Sequence, residues 1–137
     1  SVRNGLKCVD GPGIVAIHDA ARPCVSTQLI NSGYEAAEAH KSAVAAVALK
    51  DSIREKSGSI TTSRDRSNYY LIQTPQTFDI DLLKKAYSTP YDLRFTDDAS
   101  VVTSDGHEVH LIEGCYENIK ITTDGDLDLA RLFLSKI

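Results

Sequence analysis

Two short, uninterrupted apolar runs constrain this chain more than any other feature: Ile14-Val15-Ala16-Ile17 and Ala43-Val44-Ala45-Ala46-Val47-Ala48-Leu49. A run with no polar alternation reads as a strand covered on both faces. One helix-length segment separates them. Ser26 has the hydroxyl of an N-cap, and a helix from about Thr27 to His40 carries Leu29, Ile30, Ala36 and Ala37 at apolar positions. Strand, helix and strand in that order imply a right-handed crossover and a parallel sheet. The pattern predicts an α/β domain, and 137 residues amount to one domain or part of one.

The first strand ends in His18-Asp19-Ala20-Ala21-Arg22-Pro23. In open α/β sheets, ligands bind at the carboxyl ends of strands. Asp19 can hold a metal ion or polarise a hydroxyl, and the planar fork of Arg22 can grip a phosphate. Ala20 and Ala21 leave room for a ligand against the backbone, and Pro23 stops the strand. The plainer alternative is an Asp19–Arg22 pair on the surface. His18, on the apolar run, reads as a packed strand residue.

The remaining elements follow from local signals. Val2 to Cys8 reads as the end of a helix, with Ser1 entering mid-helix, which raises the expectation that the sequence is a piece of a longer protein. Asp10-Gly11-Pro12-Gly13 is a turn. Ser57-Gly58 joins Ser52–Glu55 to Ile60–Ser63 in a polar hairpin with too little apolar surface to stand alone. Leu71-Ile72 then returns to the core. Asp79 caps a helix from about Ile80 to Tyr87. Thr96 caps a short helix with Asp97 and Asp98 in its first turn. Val109–Ile112 and Ile119–Ile121 read as strands, and Thr123 caps a terminal amphipathic helix.

Composition excludes several classes of function. The net charge of −4 speaks against nucleic-acid binding. No apolar run approaches the roughly 20 residues that span a bilayer, and no secretory signal is visible. Cys8, Cys24 and Cys115 are scattered, with no CxxC pair, so they read as free thiols of a reducing cytoplasm rather than a zinc site or disulfide frame. There is no Walker loop, no GxSxG elbow and no serine–histidine–aspartate arrangement.

Further candidates lie downstream. In Asn118-Ile119-Lys120-Ile121-Thr122, Lys120 faces opposite to its apolar neighbours and can reach a phosphate, or simply snorkel from an edge. Thr74, in Thr74-Pro75-Gln76-Thr77, can donate a hydroxyl to a ligand or serve the turn. Arg64, Asp65 and Arg66 beside the hairpin form a solvated face or a donated phosphate grip. His107 and His110 lack a metal-ligand frame.

Five segments together resemble the 2-C-methyl-D-erythritol 4-phosphate cytidylyltransferase family: residues 18–23, Leu49-Lys50-Asp51-Ser52, Gln73–Phe78, Phe95–Ser100 and Glu117–Thr122. They occur in the family's order over nearly the whole chain. The resemblance implies a Rossmann-like fold of the nucleotide-diphosphosugar-transferase type, with a mixed, mainly parallel sheet and a protruding β-hairpin arm at about 51–73. It implies CMP transfer from CTP to methylerythritol phosphate with release of pyrophosphate. Asp19 and Lys120 are then catalytic, with Asp19 also the ligand of a divalent metal such as magnesium. Arg22, Ser52, Arg66, Thr74 and Thr96 bind the sugar phosphate, and Ser1 and Ala20 lie at the nucleotide. The arm makes a homodimer and carries Arg66 to the partner's site. Ser52 stands where the family often has Thr, which keeps the hydroxyl.

The family's Gly-rich loop, with its Arg and following Lys cradling the triphosphate, has no counterpart in these 137 residues. The resemblance implies that they alone do not turn over CTP, because such donors supply much of catalysis. Two alternatives remain at this point. A ribitol-5-phosphate cytidylyltransferase shares the chemistry, though that group tends to carry Val where this chain has Ala21. A non-catalytic dimerisation module has no need of Asp19, Arg22, Thr74 and Lys120.

Overall fold

The computed structural model describes residues 1–135. The elements are α1 (Val2–Leu6), β1 (Ile14–Ile17), α2 (Thr27–His40), β2 (Ser42–Ala48), β3 (Ile53–Ser57), β4 (Ile60–Arg64), a 3-10 turn (Arg66–Asn68), β5 (Tyr70–Asp79), α3 (Ile80–Ser88), α4 (Asp98–Ser104), β6 (Leu111–Glu113) and α5 (Asp124–Leu134). Helix starts follow their caps. Ser26, Asp79 and Thr123 accept from the backbone N–H of Leu29, Leu82 and Asp126, each satisfying a donor that has no partner within the helix.

The main sheet has the order β1-β5-β2-β6. β5 runs antiparallel to both β1 and β2, and β6 runs parallel to β2. Three strands therefore share one direction and β5 opposes them. The sheet is mixed, and the two strands joined by α2 are not neighbours. The returning β5, ten residues long, fills the slot between them and pairs with both.

Helices cover both faces. α2 lies against β2 and β5, and a Cβ at Gly33 would lie 3.0 Å from Thr77 Oγ1, so glycine lets the helix approach the sheet closely there. Phe78 points the other way and is fully buried with Val44, Leu83 and Val102, in a cluster that includes Leu6 of α1 and Ala86 of α3. Each such fully buried side chain contributes about 1.5–3 kcal/mol.

Three details differ from the sequence reading. Leu71 and Ile72 do not enter the core: Tyr69, Tyr70, Leu71 and Ile72 form a continuous exposed apolar stretch at the start of β5. Residues 119–121 form no strand, because no strand lies beside them to complete a ladder. The Ile121 N–H instead donates to Ala21 O at 2.8 Å. The strand expected at 109–112 begins later, at Leu111, where β2 offers parallel partners.

The β3–β4 hairpin is a separate two-stranded sheet in which every residue but Ile53 is exposed. It is held by its ladder, by Arg64 Nε donating to Glu55 Oε2 at 2.7 Å, and by Arg54 donating to Thr61. Two strands without a covered face are marginal in water.

Candidate active site

The β1–β5 register pairs Ile17 with Gln76. Continued by two residues, it sets Asp19 beside Thr74. The Asp19 N–H donates to Thr74 Oγ1 at 2.9 Å, and a turn brings Arg22 N to Asp19 O at 3.0 Å. The third strand of contact comes from the C-terminal segment: Arg22 Nη1 donates to Asn118 O at 2.8 Å, and Ile121 N to Ala21 O.

Lys120 thereby arrives at the same carboxylate as Arg22. Lys120 Nζ lies 3.0 Å from Asp19 Oδ2, and Arg22 Nε lies 3.5 Å from that oxygen. Burial pushes the Asp19 carboxyl up, but Lys120 and Arg22 outweigh it and hold the group below the ordinary carboxylate value. Arg22 is the most enclosed of the three, its side chain only 12% exposed, whereas Lys120 is 49% exposed. Asp19 stays ionised and anchors two cations whose remaining donors are available to an anion.

These groups stand on the wall of a cleft of about 1250 Å³. Ser1, Ala20, Thr74 and Thr96 line it together with Asp19, Arg22 and Lys120. Ser52 and Arg66 do not. Arg66 lies on the arm and donates to Lys50 O, and Ser52 is exposed at the arm's base.

The structure reassigns two residues. Asp97, not Thr96, is the N-cap of α4, in a reciprocal box with Ser100. A buried amide decides this. Gln76 is 1% exposed, its Nε2 donates to Asp97 Oδ2 at 2.9 Å, and its Oε1 accepts from Ala99 N at 2.8 Å. Thr96 is displaced from the cap onto the cleft wall. His18 is exposed beyond the end of β1, not packed within it, and bridges Arg22 O (Nε2, 2.9 Å) and Thr74 Oγ1 (Nδ1, 3.1 Å).

Other residues, several of them inside the matching segments, support the site. Asn118, fully buried, donates through Nδ2 to Thr74 O at 2.8 Å. Gln73 donates to Cys115 O at 2.8 Å. A Cβ at Gly114 would fall 2.6 Å from Gln73 Oε1 and 3.1 Å from Ala46 O, so any larger residue there pushes on the Gln73 amide. At the cleft floor the Tyr87 hydroxyl donates to Asp98 Oδ1. Burial raises the Asp98 carboxyl, with Tyr87 opposing the rise, and burial raises the Tyr87 phenol as well. Capping and this buried bond account for Asp97 and Asp98.

Among the described residues no group of three His, Cys, Asp or Glu side chains could cage a metal. Magnesium, however, commonly takes one or two carboxylates, keeps several waters and completes its shell with substrate phosphates. Asp19, with both cations on Oδ2, fits that single-carboxylate role.

The sequence profile of the IspD family, 2-C-methyl-D-erythritol 4-phosphate cytidylyltransferase, matches residues 1–136. The chain belongs to this family. It is 47% identical over 136 residues to the cytidylyltransferase of Bacteroides fragilis and 45% identical over 134 residues to that of Bacteroides thetaiotaomicron, covering 98% of this chain and 61% of each relative. The chain thus spans about three fifths of the length of the curated relatives it matches. The crystal structure of the Francisella tularensis family member superposes with a TM-score of 0.86 at 34% identity, over 97% of this chain and 66% of that one. The family's fold, a mixed sheet with helices, is the fold described above.

Proposed function

We propose that the protein containing this chain transfers CMP from CTP to 2-C-methyl-D-erythritol 4-phosphate and releases pyrophosphate, one step in making isoprenoid precursors. The observation that carries the reading is the meeting of Asp19, Arg22 and Lys120 on one cleft wall, with Arg22 Nε and Lys120 Nζ both within 3.5 Å of Asp19 Oδ2. A scaffold alone has no use for two cations gathered at an anionic substrate's scale. The relatives' shared name supports the choice of substrates.

The chemistry balances simply. A phosphate oxygen of the sugar phosphate attacks the α-phosphorus of CTP, and the bond to the β-phosphate breaks with its electron pair leaving on pyrophosphate. Catalysis of this kind is mostly positioning and charge stabilisation. Arg22 grips the sugar phosphate with its fork. Lys120 stabilises charge on the phosphates at the reacting centre. Asp19 orients both cations and would hold a divalent metal such as magnesium, which would supply charge neutralisation. Thr74 and Thr96 line the sugar-phosphate pocket, and Ser1 and Ala20 flank the nucleotide.

The proposal includes a homodimer. The hairpin is exposed on both sides, the stretch Tyr69–Ile72 is apolar and uncovered, and Arg66 and Ser52 stand outside their own chain's cleft. An arm laid on a second copy would cover that stretch and bring both residues to the partner's sugar phosphate. The 137 residues belong to one cytidylyltransferase domain, with the arm at about 51–73. A cytoplasmic location is supported by free thiols at Cys8, Cys24 and Cys115. Among the described residues, no helix is long and apolar enough to cross a membrane.

The test is pyrophosphate release by the protein that carries this chain, with CTP and either methylerythritol phosphate or ribitol 5-phosphate. Release that depends on methylerythritol phosphate is expected. A preference for ribitol phosphate would reassign the substrate, and no turnover of either by the folded protein would favour a non-catalytic module.

A further inference from the structure

With the His18 ring neutral, the donors and acceptors around Thr74 admit one arrangement. A threonine hydroxyl has one proton to give and two lone pairs. His18 Nε2 lies 2.9 Å from Arg22 O. A carbonyl only accepts, so Nε2 carries the ring proton. In the neutral ring Nδ1 is then a bare lone pair, and it lies 3.1 Å from Thr74 Oγ1. Thr74 must donate to it. The Asp19 N–H, at 2.9 Å, takes one of the oxygen's lone pairs. Thr74, which lines the cleft, is left with one lone pair and no proton for a ligand.

We propose that His18 is a positioning residue that turns the Thr74 hydroxyl proton away from the cleft, so that Thr74 accepts a hydrogen bond from a ligand hydroxyl and gives none to a ligand phosphate. This deepens the proposed function and rests on its reading of the cleft as a polyol-phosphate site. An ionised phosphate only accepts, so it finds nothing at Thr74 and is left to Arg22 and Lys120. The cleft thereby separates the two ends of a polyol phosphate: an acceptor for the hydroxylated chain, cations for the phosphate. The same ring ties Thr74 to Arg22 O, so the residue beside the acceptor and the backbone of the phosphate-gripping arginine are held in one unit.

The first experiment needs no turnover. The full protein, with 15N-labelled histidine, is examined by NMR at pH 8, above the ordinary histidine range. The His18 ring is expected as the Nε2–H tautomer with Nδ1 accepting a hydrogen bond. Thr74→Val should shift the Nδ1 resonance to that of a free lone pair, and Thr74→Ser should leave it in place. An Nδ1–H tautomer, or an Nδ1 resonance indifferent to Thr74→Val, overturns the proposal.

The second experiment reads the consequence. His18→Ala should raise KM for the polyol phosphate about five- to tenfold, the worth of one neutral hydrogen bond, with KM for CTP within about twofold. His18→Asn, which returns an acceptor near the Nδ1 position, should recover most of that loss. In a Thr74→Val background His18→Ala should add less than about twofold, because the interaction is already gone. Full additivity overturns the proposal. If no polyol phosphate is turned over at all, the proposed function fails, while the tautomer still decides the role of His18.

Discussion

Gln76→Leu removes a side chain that holds the start of α4 against β5. Gln76 is 1% exposed and makes two hydrogen bonds, from Nε2 to Asp97 Oδ2 at 2.9 Å and from Ala99 N to Oε1 at 2.8 Å. The first involves a carboxylate, and such bonds contribute about 1.5–3 kcal/mol; the second, once lost, leaves a buried backbone N–H at a cost of about 1–3 kcal/mol. Leucine restores apolar volume but neither partner. The expected loss is about 3–5 kcal/mol. Urea unfolding of the full protein, read by circular dichroism, measures it. Gln76→Glu separates hydrogen bonding from packing. It keeps the shape and the acceptor for Ala99 but sets a carboxylate against Asp97, so a comparable loss is expected at pH 7. A loss under about 1 kcal/mol in both variants would refute the view that this amide fixes the cap and, through it, Thr96.

Two more predictions concern the arm and the terminal helix. Arg66→Ala should raise KM for the sugar phosphate about 10- to 100-fold, the cost of one charge-assisted hydrogen bond, with CTP binding retained. Collapse of CTP binding with an unchanged sugar-phosphate KM would contradict the arm's assignment. Asp126 accepts from the backbone N–H of Thr122 and from Thr123 and its hydroxyl, which hold its carboxyl down at about 2, against an ordinary 3.8. A depressed carboxyl stabilises the folded state above the ordinary value, and that stability is lost as pH falls towards about 2. The gap in urea midpoint between the wild type and Asp126→Asn should therefore be full above pH 5 and shrink between pH 4 and 2. A gap independent of pH would show that the cap does not depend on charge.

Local chemistry made part of this fold readable. Ser26, Asp79 and Thr123 announce their helices because a cap depends on one side chain and a donor three residues on. Ile14–Ile17 and the run from Ala43 show themselves as strands by lacking any polar alternation. What depends on distant partners was not readable in the same way. Nothing within Ile119–Ile121 says that no strand will lie beside it. Leu71 and Ile72 look like core residues to any hydrophobicity argument, yet they are uncovered in this chain.

The site divides along the same line. Asp19, Arg22 and Lys120 are legible because their charges are costly to leave near an apolar strand without a purpose. Gln76, Asn118 and His18 are not, because an amide or an imidazole takes its role from what it meets. Asn118 meets Thr74 O, 44 residues away in sequence, and His18 meets Thr74 Oγ1, 56 residues away. Thr96 reads as the cap because threonine is a good capping residue, and Asp97 holds it because Gln76 reaches Asp97 from another element.

The central claim is that Lys120, drawn to Asp19 from the far end of the chain, stabilises the reacting phosphates. The direct measurement is the single-turnover rate of Lys120→Ala in the full protein, at saturating CTP and methylerythritol phosphate. A fall of roughly 10²–10³-fold, the scale of removing one transition-state electrostatic contact, is the predicted result. A rate near that of the wild type would leave Lys120 as a surface cation paired with Asp19 and nothing more.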